Sequence, residues 1–343
     1  MNNLRSLKIF LLAIPLICLT IVFCEKKSEL VKIEYDKSVE PITLKDKVLQ
    51  SYKIDTRKNL GKDQILQIAK ELTDISLKSL NFEKFEKIEE NVVALRNDED
   101  PSASFEINTG TGNFLYNSGL NDYRKDGDTP NLVFKEKAAV MALKYLEKLG
   151  LNPKKEELDS VNIGGLNMAV LEKDGTTNDY KKLVTVRYGR ILNNIPVMGE
   201  SRIIVQLGKE GSLAGLTFYW GDIAEKKKIK TDELLTDKQI RAQLESRLRE
   251  AAGDAKRIIV EKAALVLYDD GRGLVEPAYH VQAKLFYEIK NEDDQKDIQR
   301  YDTPYDYYVP VLIKPLGFYP YMEVADSQPV DARDIKTTPT DDE

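Results

Sequence analysis

His280 is the single histidine of the chain, and an imidazole is the commonest general base, so it is the first group to weigh. One histidine cannot build a multi-histidine metal site, and the two cysteines, Cys18 and Cys24, both sit near the N-terminus. A Ser-His-Asp relay needs only one histidine, so the count leaves it open. The local pattern speaks against it. His280 alternates with Tyr279 and Val281 in a strand-like run, and the sequence contains no Gly-x-Ser-x-Gly elbow. The acidic clusters Asp98-Glu99-Asp100 and Glu292-Asp293-Asp294 lack the glycine and the closing glutamate of an EF-hand loop. They read as solvated turns, with a weak Ca²⁺ site as the alternative. A pair of glycosidase carboxylates among the 57 acids stays open, because a sequence does not give a separation of about 5 or 9 Å. Gly110 and Gly112 in "NTGTGNF" fall between two strand-like runs with no helix behind them, which makes a hairpin turn and not a phosphate loop. The residue types therefore lead to an expectation of no catalytic set, no metal and no cofactor.

Aromatic side chains crowd the last patterned segment: Tyr301, Tyr305, Tyr307, Tyr308, Phe318, Tyr319 and Tyr321, with Pro304, Pro310, Pro315 and Pro320 among them. The alternation in "YDYYVPVLI" makes part of it a strand with some rings in the core. Aromatics with a polar tip also favour interfaces. Tyr305, Tyr307, Tyr308 and Tyr319 are the candidate partner-binding residues, either as a surface or on an edge strand that accepts a peptide.

The first 24 residues explain how such a surface would be held in place. Arg5 and Lys8 form a positive start, and the uncharged apolar run Ile9–Phe23 is shorter than the ~20 residues a helix needs to cross a bilayer. The run ends at Cys24, followed at once by Glu25-Lys26-Lys27. Ile21-Val22-Phe23-Cys24 resembles the lipobox of bacterial lipoproteins, with Phe23 where a small residue is usual. The resemblance implies that 1–23 is a signal peptide and that Cys24 carries the acyl chains (palmitate and its relatives). An ordinary secretion signal and an uncleaved anchor are the alternatives. Two or three acyl chains, at about 0.8 kcal/mol per buried methylene, anchor a protein stably. Both cysteines lie in this leader, so the rest of the chain must rely on its core without disulfides.

Charge narrows the partners. Without Arg5 and Lys8, 49 basic residues face 57 acidic ones, a net charge of about −8. No long basic run occurs, which argues against nucleic acid. The expected location is the cell envelope, on a lipid-anchored membrane, facing the periplasm or the surface.

Three amphipathic helices must position these groups. Ile65, Ile68, Ala69, Leu72 and Ile75 form one apolar stripe. Phe134, Ala138, Met141, Ala142, Tyr145 and Leu149 form the second, stopped by Gly150. Ile240, Leu244, Leu248 and Ala251 form the third, opened by a Thr236/Gln239 capping box and ended by Gly253. Alternating strand runs follow each helix, including the hairpin from "RIIVQL" to "LAGLTFYW". The expected fold class is α+β: tandem modules, each a helix packed on an antiparallel sheet. The expected boundaries are a lipidated tether over 24–55, modules over 56–125, 130–225 and 230–322, and a disordered acidic tail over 323–343. The helices recur without residue identity, so the architecture repeats and the sequence does not.

Arg187, Tyr188, Ile195, Pro196, Val197, Gly199, Val205 and Gly211 lie in "VTVRYGRILNNIPVMGESRIIVQLGKEGSLAGLTFYW". In type and order this stretch resembles the propeptide module of thermolysin-type and fungalysin-type metallopeptidases. Asn194 stands where that pattern has glycine before Ile-Pro-Val, and asparagine is the next-best residue at positive φ. Arg190 stands where glutamine is commoner. The stretch that follows, from the third helix through "ALVLYDDGRG" to Pro277-Ala278-Tyr279-His280-Val281, resembles a PepSY domain, so the likeness covers roughly 180–290. Such propeptides precede a His-Glu-x-x-His protease, which one histidine cannot supply. What the resemblance implies is a turn held by Asn194, Pro196, Gly199 and Gly211, a fold of tandem cystatin/PepSY-like modules, and a tendency to bind proteins. The expected function is a non-enzymatic, membrane-anchored envelope lipoprotein that binds or regulates an envelope protein or peptide. The alternative is a hydrolase or small-ligand binder using a cleft between modules.

Overall fold

In "RIIVQL" the side chains of Ile203, Val205 and Leu207 are buried and those of Arg202, Ile204 and Gln206 only partly so, the period-2 signature of a sheet with one covered face. The same alternation recurs through most of the chain. A computed structural model describes residues 31–319 apart from 46, 57, 77–79, 120–122, 124–129, 172 and 291–297. Among the described residues fifteen strands join one mixed sheet, and three α-helices pack on it.

The chain opens with β1 (Lys32–Tyr35) and β2 (Gln50–Ile54). Helix α1 (Lys62–Ser76) leads into β3 (Glu86–Glu89), β4 (Val92–Arg96), β5 (Ala103–Asn108) and β6 (Phe114–Ser118). Helix α2 (Lys135–Lys148) is followed by the long pair β7 (Leu158–Leu171) and β8 (Thr177–Leu192). Then come β9 (Ile195–Gly199), β10 (Arg202–Leu207), β11 (Leu213–Tyr219) and β12 (Ile223–Lys228). Helix α3 (Asp237–Ala252) precedes β13 (Arg257–Asp269), β14 (Leu274–Lys290) and β15 (Ile298–Pro310).

Local chemistry sets the helix ends. Gly150 at φ 65° lets its own N–H reach Glu147 O and that of Leu151 reach Leu146 O, the paired bonds that close α2. Thr236 Oγ1 accepts from Gln239 N while Thr236 N donates to Gln239 Oε1, so both ends of the capping box are made at α3.

The three-module plan is overturned. One sheet runs in the order β12-β2-β14-β13-β9-β8-β10-β11-β6-β5-β4-β3, with β1, β15 and β7 attached at its sides. The fold is mostly β, not a series of helix-backed modules. Helices α1 and α2 share one core with β4, β5, β6, β8, β10 and β11, so neither owns a sheet. Helix α3 covers a second core on β13, β14 and β15. An apolar stripe shows that a helix needs a covered face, yet it does not say which strands supply it. The tether also needs correction from residue 32 onward. β1 pairs in parallel with β13, and β2 pairs with β12 and β14, with Leu49 and Tyr52 buried.

A short parallel ladder joins the two cores. Leu267, Tyr268 and Asp269 of β13 face Val197, Met198 and Gly199 of β9, and no other ladder crosses between them in the described sheet. A small cluster of Tyr52, Leu192, Val197, Leu267 and Val275 fills the junction.

Candidate functional site

The turn residues fall where local chemistry places them. Asn193 and Asn194 have φ of 50° and 60°, so β8 and β9 are joined by a two-residue hairpin with both central residues left-handed. Pro196 pairs with Ile191 within that hairpin. Gly199 has φ 93°, and a Cβ there would run into the Asp269 carbonyl, so this is the point where β9 touches β13. Gly211 has φ 83° and presents its carbonyl to Tyr145 Oη at 2.8 Å.

The four tyrosines do not form one surface. Tyr307 is 1% exposed, and its hydroxyl donates to Leu244 O at 2.9 Å, which ties β15 to α3. Tyr305 lies on the same side of β15, half-buried, with its ring 5.0 Å from that of Tyr307. Tyr308 points to the other face and stacks between His280 at 5.0 Å and Tyr268 at 4.3 Å. Tyr319 is buried there too, 5.0 Å from the Tyr268 ring. Burial pushes the Tyr307 and Tyr319 hydroxyls far above the usual tyrosine range. Tyr307 and Tyr319 are therefore core residues, a correction to the partner-binding assignment. Alternation was legible in the sequence, but both faces of this part of the sheet are covered, one by α3 and one by the segment ending at Tyr319.

His280 is buried in the same aromatic stack. Its Nε2 lies 2.6 Å from Asp306 Oδ1, and Gln282 Nε2 donates to Asp306 Oδ2 at 3.0 Å. Nδ1 has no hydrogen-bond partner among the described residues, so no hydroxyl completes a relay. No group of three or more His, Cys, Asp or Glu side chains gathers with metal-site geometry among the described residues.

Two carboxylates, the buried Glu276 and the half-buried Asp270, do a different job. Glu276 accepts the backbone N–H of Leu316 at 3.1 Å and of Gly317 at 2.9 Å. Asp270 accepts from Phe318 N at 3.1 Å and from Arg272 and Leu274 on its other oxygen. The two acids clasp the last described segment of the chain onto the start of β14. The sequence offered the "DDGRG" turn as a signal for Asp270 alone, and nothing in it linked either acid to residues 316–318.

The clasp forms one wall of a cleft of about 370 Å³. Tyr52, Ile229, Leu274 and Leu312 give it an apolar floor, with Ile313 and Leu316 at its lip. Ile313 is 52% and Leu316 75% exposed. Charges ring the opening and are largely paired: Lys53 with Glu225 and Lys227 with Glu233, each at 2.9 Å. Lys53 holds Glu225 below the usual carboxylate range, and the Lys230 N–H followed by Lys227 does the same for Glu233. The cleft lies beside the second core, between β2, β12 and the start of β14, and not between modules.

Cys24 and the tail over 323–343 lie outside the described residues. No described helix is long and apolar enough to cross a membrane.

No protein-family model matches the chain, and no curated protein matches it. Among solved structures it is similar to an uncharacterized protein from Eubacterium rectale ATCC 33656, with 14% identity, 80% of this chain and 88% of that chain covered, and a TM-score of 0.43.

Proposed function

We propose that this chain is a lipid-anchored protein of the cell envelope that binds an apolar segment of another envelope protein or peptide and performs no chemistry of its own. The cleft beside the clasp carries the reading. Its floor is apolar, two large aliphatic side chains stand exposed at its lip, and four of its rim charges are matched in two ion pairs. Such a site gains free energy by covering apolar surface, at about 25 cal/mol per Å². The leader ending in Cys24 supports membrane attachment, and the PepSY and propeptide resemblance over 180–290 supports protein binding.

A photoreactive amino acid at Ile313 in intact cells tests this reading. The expected result is one dominant protein adduct, lost when Leu316→Asp is added, together with an acylated Cys24 at the mature N-terminus. Absence of any adduct, or a free N-terminus at another residue, removes the respective half of the proposal. The volume of about 370 Å³ also suits a small apolar ligand, which is the second reading. A lipid or small molecule that co-purifies with the protein and is lost in Leu274→Lys favours it.

A further inference from the structure

Several strands have one partner only, and all but one are protected against further pairing. β3 presents Glu86, Lys87 and Glu89, and β12 presents Glu225, Lys226, Lys227 and Lys228. β15 carries Arg300, Asp302 and Asp306, and Pro304 and Pro310 remove two backbone donors. β1 has four residues, two of them charged. Charges, prolines and shortness are the usual means of blunting an edge.

β7 is protected only at its start, where Asp159 lies in the irregular step between Leu158 and Val161. It runs for 14 residues beside β8, contains no proline, and carries one charged side chain, Asp159. Val161, Leu166 and Leu171 stand 46%, 44% and 73% exposed. In a chain whose residues are 31% charged, a long uncharged edge with exposed aliphatic groups marks a pairing surface.

We propose that β7 pairs antiparallel with β7 of a second copy of this chain, about a two-fold axis through Leu166. The pattern of the strand is self-complementary in that register. Leu166 meets Leu166 of the second copy, and Val161 meets Leu171, so each exposed aliphatic side chain covers another. Asp159 stands near one end of β7 and Lys173, exposed, in the turn just past the other, so an antiparallel pair brings one acid toward one base at each end. A strand of this length spans roughly 48 Å. A contact strip roughly 10 Å deep along it covers on the order of 500 Å² per copy, about 1,000 Å² in all, the lower bound of a specific interface. This pairing is independent of the cleft and of lipid attachment.

The test uses the full-length chain in mild detergent. Directly opposed residues of an antiparallel pair have Cα atoms about 4.5–5.5 Å apart, within disulfide range. Oxidised Leu166→Cys is expected to run as a disulfide-linked dimer well above the wild-type background. Leu171→Cys alone stays at background, and Val161→Cys/Leu171→Cys links again. In sedimentation at matched detergent density, wild type is expected at the mass of two chains. Leu166→Lys, which sets two ammonium groups face to face, is expected at the mass of one with an unchanged circular dichroism spectrum. A wild type that sediments as one chain overturns the proposal. So does equal linking at positions 166 and 171, or a dimer that persists in Leu166→Lys.

Discussion

Asp269 is 3% exposed, with Oδ2 2.5 Å from Ser201 Oγ and Oδ1 receiving the Gly271 N–H at 3.0 Å. Burial raises its pKa, against the lowering effect of those two hydrogen bonds. Between the ordinary value of about 3.9 and the raised one, the folded state holds a proton that the unfolded state has lost. This group therefore adds stability as pH falls through that window and costs stability above it. In Asp269→Asn the amide can keep both bonds, and the difference in melting temperature from wild type should grow as pH rises from about 4 and then level off. A constant difference across that range would show the carboxyl to be unperturbed. Arg190 is a second buried charge, bonded to Glu157 and to Gly221 O and lying 4.9 Å from the Trp220 ring. Glu157→Ala leaves that guanidinium without its counter-charge and should cost about 3 kcal/mol in urea unfolding, with Glu157→Ala/Arg190→Met costing less. Asn194→Val should cost about 1–2 kcal/mol, because a β-branched residue resists a φ of 60°. A melting curve like that of wild type would contradict the turn geometry. The positive φ of Asn194 was legible in the sequence, since a turn is a local matter. The burial of Tyr307 and Tyr319 was not, because elements distant in sequence decide which faces of a strand are covered.

Helices were the most legible elements, because their signals are dense and near in sequence. Ile65, Ala69 and Leu72, Ala138 and Ala142, and Ile240, Leu244 and Leu248 are buried as expected, whereas Phe134 stands exposed and Ala252 replaces Ala251 in the core; the capping box of α3 is formed in full. Thr236→Ala removes the side-chain acceptor for Gln239 N and should destabilise by about 1 kcal/mol, read from the urea midpoint at unchanged slope. The hairpin of β10 and β11 was equally plain. β1 and β2 were not, since four or five residues carry too few alternations to stand out from a polar linker. Their partners lie far along the chain, and nothing within the first fifty residues announces them.

Sheet connectivity was the least legible property, and the fold class failed on it. Ladders between β6 and β11, and between β9 and β13, convert what reads as three modules into one sheet with two cores. Gly199 sits in the three-pair ladder that couples those cores. Gly199→Val meets both a forbidden φ and the Asp269 carbonyl, and should split one calorimetric transition into two. A single transition at lower temperature would mean that the junction cluster suffices to couple them. The pairing of β2 with β12 sets a further condition. Ile54 faces Ile223, so everything from β3 to β11 is a long excursion between two neighbouring strands. A ribosome or a translocon delivers the chain from its N-terminus, so β2 emerges roughly 170 residues before β12, and β1 roughly 225 before β13. Helices α1 and α2 and their core can assemble during that wait. The first two strands cannot, and their backbone groups stay open to wrong partners until the last third of the polypeptide arrives.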